Sequence, residues 1–180
     1  MDDPLIEVAR LLRVRNSIDA RLGQIIDRPM TSGHLGEWLA SEVFDIKLQD
    51  SAVAPGLDGH FRAGSLAGKS VNVKWYLKRE GLLDTSTSAV LDYYLVMAGP
   101  VSAAQSSRGA SRPWCIASVY LFDARVLRTE QLARGIKAGT ASSVRNSQWA
   151  GAEIYPQMTN TVLPLSHTQI AALRLFEPSK

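Results

Sequence analysis

A carboxylate, an amide and a lysine lie within one short stretch, residues 57–76, with the sequence LDGHFRAGSLAGKSVNVKWY. This pattern predicts two short strands joined by a Gly-rich turn, with Asp58 on the first strand. Asn72 and Lys74 are two residues apart on the second strand, so they project from one face of it. Pairing of the two strands as a hairpin would place Asp58 beside that face.

A second carboxylate is expected from the helix before this hairpin. Residues 32–44 show helical periodicity, with Thr31 or Ser32 as the expected N-cap. Glu37 lies outside the apolar stripe of this helix, on a side with small residues that allow close approach to the sheet. His34 lies about one turn before it. The sequence therefore predicts that Glu37 points toward the cleft that Asp58 enters.

These residue types suit the hydrolysis of a phosphodiester. The reaction requires charge neutralisation at the phosphoryl oxygens and a hydroxide-like nucleophile, and Mg²⁺ or Mn²⁺ held by oxygen ligands supplies both. Glu37 and Asp58 would be the charged ligands, and the Asn72 side-chain oxygen and the Val73 carbonyl the neutral ones. Lys74 would hold the attacking water and stabilise the developing negative charge.

Three segments, GEWLASEVF, GLDGHF and GKSVNVKWY, resemble in order and spacing the PD-(D/E)xK nuclease superfamily. The resemblance covers about residues 30–125. It implies a restriction-endonuclease-like fold, a metal-dependent DNA nuclease and the catalytic set Glu37, Asp58, Asn72 and Lys74. Nuclease domains of this size often dimerise, so the resemblance also allows a homodimer.

Two positions depart from the family pattern. Asn72 stands where the family has its second acidic residue, which gives N-x-K, and Leu57 replaces the proline of the family name. Loss of one negative charge weakens metal binding. The alternative is therefore a catalytically silent module that keeps the fold and binds DNA or assembles with a partner. Glu80 or Asp84 would be the replacement carboxylate if the acidic position has migrated.

A phosphate-binding loop is the second alternative. Residues 63–70, AGSLAGKS, fit a permissive form of the P-loop pattern, and the strand that ends at Asp123 imitates its partner motif. That mechanism requires a helix directly after Lys69, where backbone N–H groups cradle phosphate. The residues that follow alternate and are β-branched, so they favour a strand instead.

Basic side chains are placed where a DNA backbone would be contacted. Lys78 and Arg79 follow the second site strand, Arg108 and Arg112 lie in a Gly/Ser-rich loop, and His34 lies near Glu37. Contacts of this kind give affinity without sequence readout. With 20 Lys and Arg against 17 Asp and Glu, the net charge of +3 permits such an anionic partner.

The composition favours one compact domain. A chain of 180 residues, 46% hydrophobic and 21% charged, is large enough to bury a core. The single cysteine, Cys115, excludes an internal disulfide and suits a reducing compartment. No signal peptide or membrane-spanning run is visible, so a cytoplasmic protein without membrane contact is expected.

The predicted fold is α/β, with a mixed central sheet of four or five strands flanked by helices. An N-terminal helical extension covers 1–29, the nuclease-like core 30–125, and a C-terminal strand and helices 126–180. Strands are expected at 57–61, 69–77, 89–98, 114–122 and 152–156. Helices are expected at 4–27, 32–44, 129–135 and 166–176, with 138–150 irregular.

Overall fold

The structure is a computed structural model that describes residues 4–49, 56–86, 91–101 and 113–178. Within these residues the chain forms five α-helices: α1 Pro4–Ile26, α2 Ser32–Phe44, α3 Ala124–Leu132, α4 Asn146–Ala152 and α5 His167–Arg174. The strands are β1 Ile46–Leu48, β2 Gly59–Phe61, β3 Ser70–Tyr76, β4 Leu82–Leu83, β5 Tyr93–Ala98, β6 Ser118–Asp123, β7 Ser142–Ser143 and β8 Glu153–Tyr155. The α/β class is confirmed.

The central sheet has six strands in the order β1-β2-β3-β5-β6-β8. β3 and β5 are parallel, with Asn72 opposite Tyr94 and Lys74 opposite Val96, and the other pairs are antiparallel. The sheet therefore has one strand more than the upper end of the predicted range of four or five. The missed strand is β1, which has three residues and shows no alternation of its own long enough to recognise. β4 and β7 form a separate two-stranded sheet.

Each face of the sheet buries its own apolar cluster. The alternation of β3 sends Val71, Val73 and Trp75 to one face, where they pack with α2 and α5. The other face carries Tyr76, and it is covered by α3, α4 and the residues around β4 and β7. β3 is therefore covered on both faces.

Two helix assignments in the C-terminal third were wrong. α3 begins at Ala124 rather than near residue 129, because the Asp123 carboxylate accepts hydrogen bonds from the N–H groups of Arg125 and Val126, both at 2.9 Å. The segment expected to be irregular contains α4, which Trp149, 1% exposed, anchors in the core. One aromatic side chain gives no periodicity, so the sequence pattern did not reveal this helix.

α1 extends the fold at the N-terminus, as expected. It contacts the rest of the chain near its C-terminal end, where Ile26 is its one buried residue. α1 has 23 residues, but it is not apolar enough to cross a membrane. No other described helix is long and apolar enough either.

Candidate active site

The Asp58 carboxylate is fixed to the free edge of β3. β2 pairs with β3 through Gly59–Val71 and His60–Ser70, and the edge beyond these residues has no strand partner among the residues that the structure describes. Asp58 bridges it: its N–H donates to the Val71 carbonyl at 3.0 Å, and its Oδ2 accepts from the Val73 N–H at 2.7 Å. The carboxylate takes the place of the next strand residue in the ladder.

The Val73 carbonyl is directed to the same edge. In a strand, the N–H and the C=O of one residue point toward the same side. Since the Val73 N–H meets Asp58, the Val73 oxygen faces the Asp58 side of β3 as well. This is the orientation that the sequence-based ligand set requires of Val73.

Gly59 allows β2 to lie close against β1. A Cβ added at Gly59 would lie 2.5 Å from the Lys47 carbonyl oxygen and 2.8 Å from Ile46 Cγ2. Only glycine avoids both contacts. The Asp58-Gly59 pair is therefore the entry to a strand rather than a turn, and the close approach fixes where Asp58 stands.

Glu37 reaches this edge from α2. The helix begins at the Thr31 cap, whose Oγ1 accepts from the His34 N–H at 3.1 Å. Gly36 lets it lie directly on the sheet, since a Cβ there would be 3.1 Å from the Cβ of Trp75. The next residue, Glu37, has a side chain 22% exposed and forms an ion pair with Arg28.

Arg28 is a residue of this site that the sequence pattern did not reveal. It follows the turn at the end of α1, where Asp27 has a φ of 53° and the Arg28 N–H donates to the Gly23 carbonyl at 3.1 Å. This turn aims the guanidinium at Glu37, nine residues further on. Sequence spacing gives no signal for such a contact.

Asn72 and Lys74 share the other face of β3, as their spacing predicted. Asn72 is 3% exposed, and its Oδ1 has no hydrogen-bond partner among the described residues. Lys74 is half-buried and forms no salt bridge within the part of the chain that the structure describes. An unsatisfied buried oxygen is costly, so it indicates a position where a donor or a cation would be stabilised.

The pKa of the Asp58 carboxyl connects these residues. Burial raises the pKa above its ordinary value, and the hydrogen bond from the Val73 N–H works in the opposite direction. The negative charge of Glu37 raises it further, whereas the positive charges of Lys74 and Arg28 lower it. Glu37, Lys74 and Arg28 therefore each lie within electrostatic reach of Asp58.

These oxygens fit a divalent cation in part. Asp58, the Val73 carbonyl and the orphaned Asn72 Oδ1 are hard oxygen donors of the type that Mg²⁺ prefers. Glu37 would have to leave Arg28 before it could join them. Across residues 4–49, 56–86, 91–101 and 113–178, no group of three His, Cys, Asp or Glu side chains is arranged to hold a metal.

The residues expected to contact DNA are in varied surroundings. His34 Nδ1 lies 2.7 Å from the Pro29 carbonyl, and Lys78 forms an ion pair with Glu80. The Arg79 guanidinium stacks on two rings, 5.8 Å from the centroid of Tyr120 and 5.5 Å from that of Trp149. The other two expected contacts, Arg108 and Arg112, lie outside the described residues.

The two carboxylates weighed as replacements for the missing acidic ligand are occupied elsewhere. Glu80 pairs with Lys78. Asp84 Oδ1 accepts from the Ala141 N–H at 2.7 Å, and its Oδ2 accepts from the Tyr76 hydroxyl at 3.2 Å. Both belong to local structure on the face that carries β4 and β7.

The segment that fits a phosphate-loop pattern forms the connection of the β2–β3 hairpin. A short 3₁₀ turn at Gly64–Leu66 follows β2, and Lys69 leads directly into strand β3. Lys69 Nζ pairs with Asp92 Oδ1 at 3.2 Å. The helix N-terminus that cradles phosphate in a P-loop is replaced here by a strand.

No protein-family model matches this chain, and no curated protein matches it. The resemblance to the PD-(D/E)xK superfamily therefore stays a prediction from the sequence motif.

Proposed function

We propose that this protein is a metal-dependent nuclease of the restriction-endonuclease-like type that hydrolyses DNA phosphodiester bonds, in restriction, defence or repair. The main support is the position of Asp58, which is bound to the free edge of β3 within electrostatic reach of Glu37 and Lys74. A half-buried carboxylate at a sheet edge, with a second carboxylate and a lysine within electrostatic reach of it, supplies the groups that this chemistry requires.

Each side chain has a separate task in the proposed reaction. When bound, Mg²⁺ or Mn²⁺ would neutralise phosphoryl charge and acidify a water molecule. Asp58 and Asn72 Oδ1, with the Val73 carbonyl, would hold that ion, and Glu37 would join them after it leaves Arg28. Lys74 Nζ would donate a hydrogen bond to the attacking water and so orient its lone pair toward phosphorus.

One observation favours a second candidate, the catalytically silent module. Glu37 is already neutralised by Arg28, and Asn72 contributes no charge. The four charges at this edge, two negative and two positive, cancel without a metal ion. A module of this kind would bind DNA through exposed basic side chains, and it would not cut.

Cleavage of plasmid and linear DNA in Mg²⁺ or Mn²⁺ separates the two candidates. The nuclease proposal expects cutting that EDTA abolishes and that Lys74→Ala lowers by about 10²–10³-fold, the usual cost of removing one hydrogen-bond donor from a reacting centre. Lys47→Ala, at an exposed position of β1, is the matched control and should cut like the wild type. DNA binding without cutting, together with cutting gained in Asn72→Glu, would favour the silent module.

A further inference from the structure

α1 presents an apolar face that the rest of the described chain leaves uncovered. Six aliphatic side chains on this face are 48–56% exposed: Val8, Leu11, Leu12, Val14, Ile18 and Ile25. At 100° per residue these positions fall within one half of the helix surface. Arg10, Arg13 and Arg21 lie on the opposite half and are exposed.

The extent of this face is that of a surface patch with a function, such as contact with a partner. Six half-exposed aliphatic side chains present several hundred Å² of contiguous apolar surface, comparable with the roughly 300–600 Å² of the largest patch on a typical monomer. It also approaches the roughly 800 Å² that one partner contributes to a standard protein interface. α1 alone would therefore supply most of such an interface.

The charges within the face show which occupant fits. Arg15 and Asp19 lie inside the apolar half, and Arg15 Nε is 3.5 Å from Asp19 Oδ2 in the same helix. Apolar residues flank this pair on both sides along the helix. Along the helix the order is apolar, Arg, Asp, apolar. When the helix of a second copy runs in the opposite direction, apolar residues face apolar residues and each Arg faces an Asp.

We propose that α1 pairs with α1 of a second copy in an antiparallel, two-fold symmetric contact. With the axis at the level of Ser17, Val8 lies near Ile25 of the second copy and Leu11 near its Leu22. Arg15 then faces Asp19 of the second copy, and the symmetry repeats each contact. A parallel pair would instead place Arg15 against Arg15, which is repulsive.

This contact leaves the basic half of both helices free. Arg10, Arg13 and Arg21 of the two copies point away from the seam. The dimer does not depend on the proposed nuclease activity, since it uses no residue of the active site. Failure of one proposal therefore leaves the other standing.

Light scattering coupled to size exclusion tests the dimer on the full chain. The wild type should be a dimer, and Ile18→Asp should be a monomer with unchanged helicity by circular dichroism. Ser17→Asp introduces the same charge one residue away on the polar side, and it should remain a dimer. A wild type that stays monomeric at every concentration overturns the proposal, including the case in which it sediments with anionic phospholipid vesicles instead.

Charge reversal tests whether the charges at positions 15 and 19 meet across the contact, and cysteine cross-linking tests the direction of the two helices. Arg15→Asp and Asp19→Arg should each weaken the dimer by about tenfold or more, and a mixture of the two variants should restore it. Both variants lack the ion pair within the helix, so restoration reports the contact between copies. A cross-link between Val8→Cys and Ile25→Cys chains in a mixture, with none in either variant alone, is expected of antiparallel pairing. Cross-links within each variant alone would contradict it.

Discussion

Asp58 and Val73 are joined by a hydrogen bond of 2.7 Å from a backbone N–H to a carboxylate, at the point where β2 leaves β3. This bond fixes the Asp58 carboxylate to the edge of the sheet. A change of the Asp58 rotamer would break the bond. The bond also turns the Val73 carbonyl toward the same space. Two oxygen donors of the candidate site are thus fixed by strand pairing.

Substitution Asp58→Asn separates stability from function. Burial raises the pKa of Asp58, so ionisation of this carboxyl is less favourable in the folded than in the unfolded protein. Its contribution to stability is present at low pH and is lost as the pH rises above the ordinary value of 3.8. At pH 7 the variant should therefore melt at the same or a higher temperature than the wild type, with the difference shrinking toward pH 4.

The rate of DNA cleavage should fall in Asp58→Asn, although the stability does not. Asp58→Asn should lower the rate by more than the roughly 10–100-fold typical of residues that only orient a metal ligand. A thermal melt series from pH 4 to 8 and a cleavage assay check the two expectations separately. A variant that melts much lower at pH 7 would show that the carboxylate is structural.

Asn72→Asp tests whether the orphaned oxygen faces a cation. The substitution keeps the shape of the side chain and restores a third carboxylate at a position that is 3% exposed. We expect Mn²⁺ affinity by titration calorimetry to rise by about tenfold or more, since ligand charge tunes affinity. Without metal the variant should lose about 1–3 kcal/mol of unfolding free energy.

The exposed substitution Asn146→Asp is the control for an added charge, and it should change neither quantity. Unchanged Mn²⁺ affinity in Asn72→Asp would mean that the Asn72 oxygen does not face the ion.

The contrast between Asn72 and Arg28 shows what the sequence could predict. The period of two in SVNVKWY determines which side chains share a face, and the order of helix, Asp58 and β3 indicated where the carboxylates would meet. The Arg28–Glu37 pair depends on the path of the chain after α1, including a positive φ at Asp27. Local patterns do not encode such a path, and for the same reason the three-residue β1 was missed.

Arg79 is expected to contribute more to stability than to DNA binding. Its guanidinium lies over Tyr120 and Trp149, and its buried Nε has no partner among the described residues. Arg79→Ala should lower the unfolding free energy by about 1–2 kcal/mol through the lost cation–π contacts. Chemical denaturation measures this loss, and Arg62→Ala, which removes an exposed pair with Asp45, should cost less than about 1 kcal/mol. If Arg79→Ala sharply lowers the affinity for DNA without lowering the unfolding free energy, Arg79 contacts DNA after all.

Gly59→Ala should disturb the site through the backbone. The added methyl would lie 2.5 Å from the Lys47 carbonyl oxygen, so β1 and β2 must separate. We expect a loss of about 1–3 kcal/mol in unfolding free energy and a fall in cleavage, because Asp58 directly precedes the displaced residue. Gly135→Ala is a control for the loss of a glycine where a Cβ meets nothing within 4 Å, although its φ of 72° adds strain. It should destabilise the protein without a matching loss of activity per folded molecule.

Arg28 controls how readily Glu37 can serve a metal ion. In the structure the guanidinium neutralises Glu37 and lies within electrostatic reach of Asp58, so a divalent cation must displace it. Arg28→Gln removes this competition, and we expect tighter Mn²⁺ binding by calorimetry, by roughly tenfold if the exchange costs about 1.4 kcal/mol. In the absence of metal the variant should be less stable, because Glu37 loses its counter-ion next to a second carboxylate.

Arg21→Gln is the matched control, since Arg21 is exposed on α1 and bonds only to Gln24 among the contacts described. Equal Mn²⁺ affinity in the wild type and Arg28→Gln would mean that Glu37 is not a ligand, and the ion would then depend on Asp58 and its neighbours on β3.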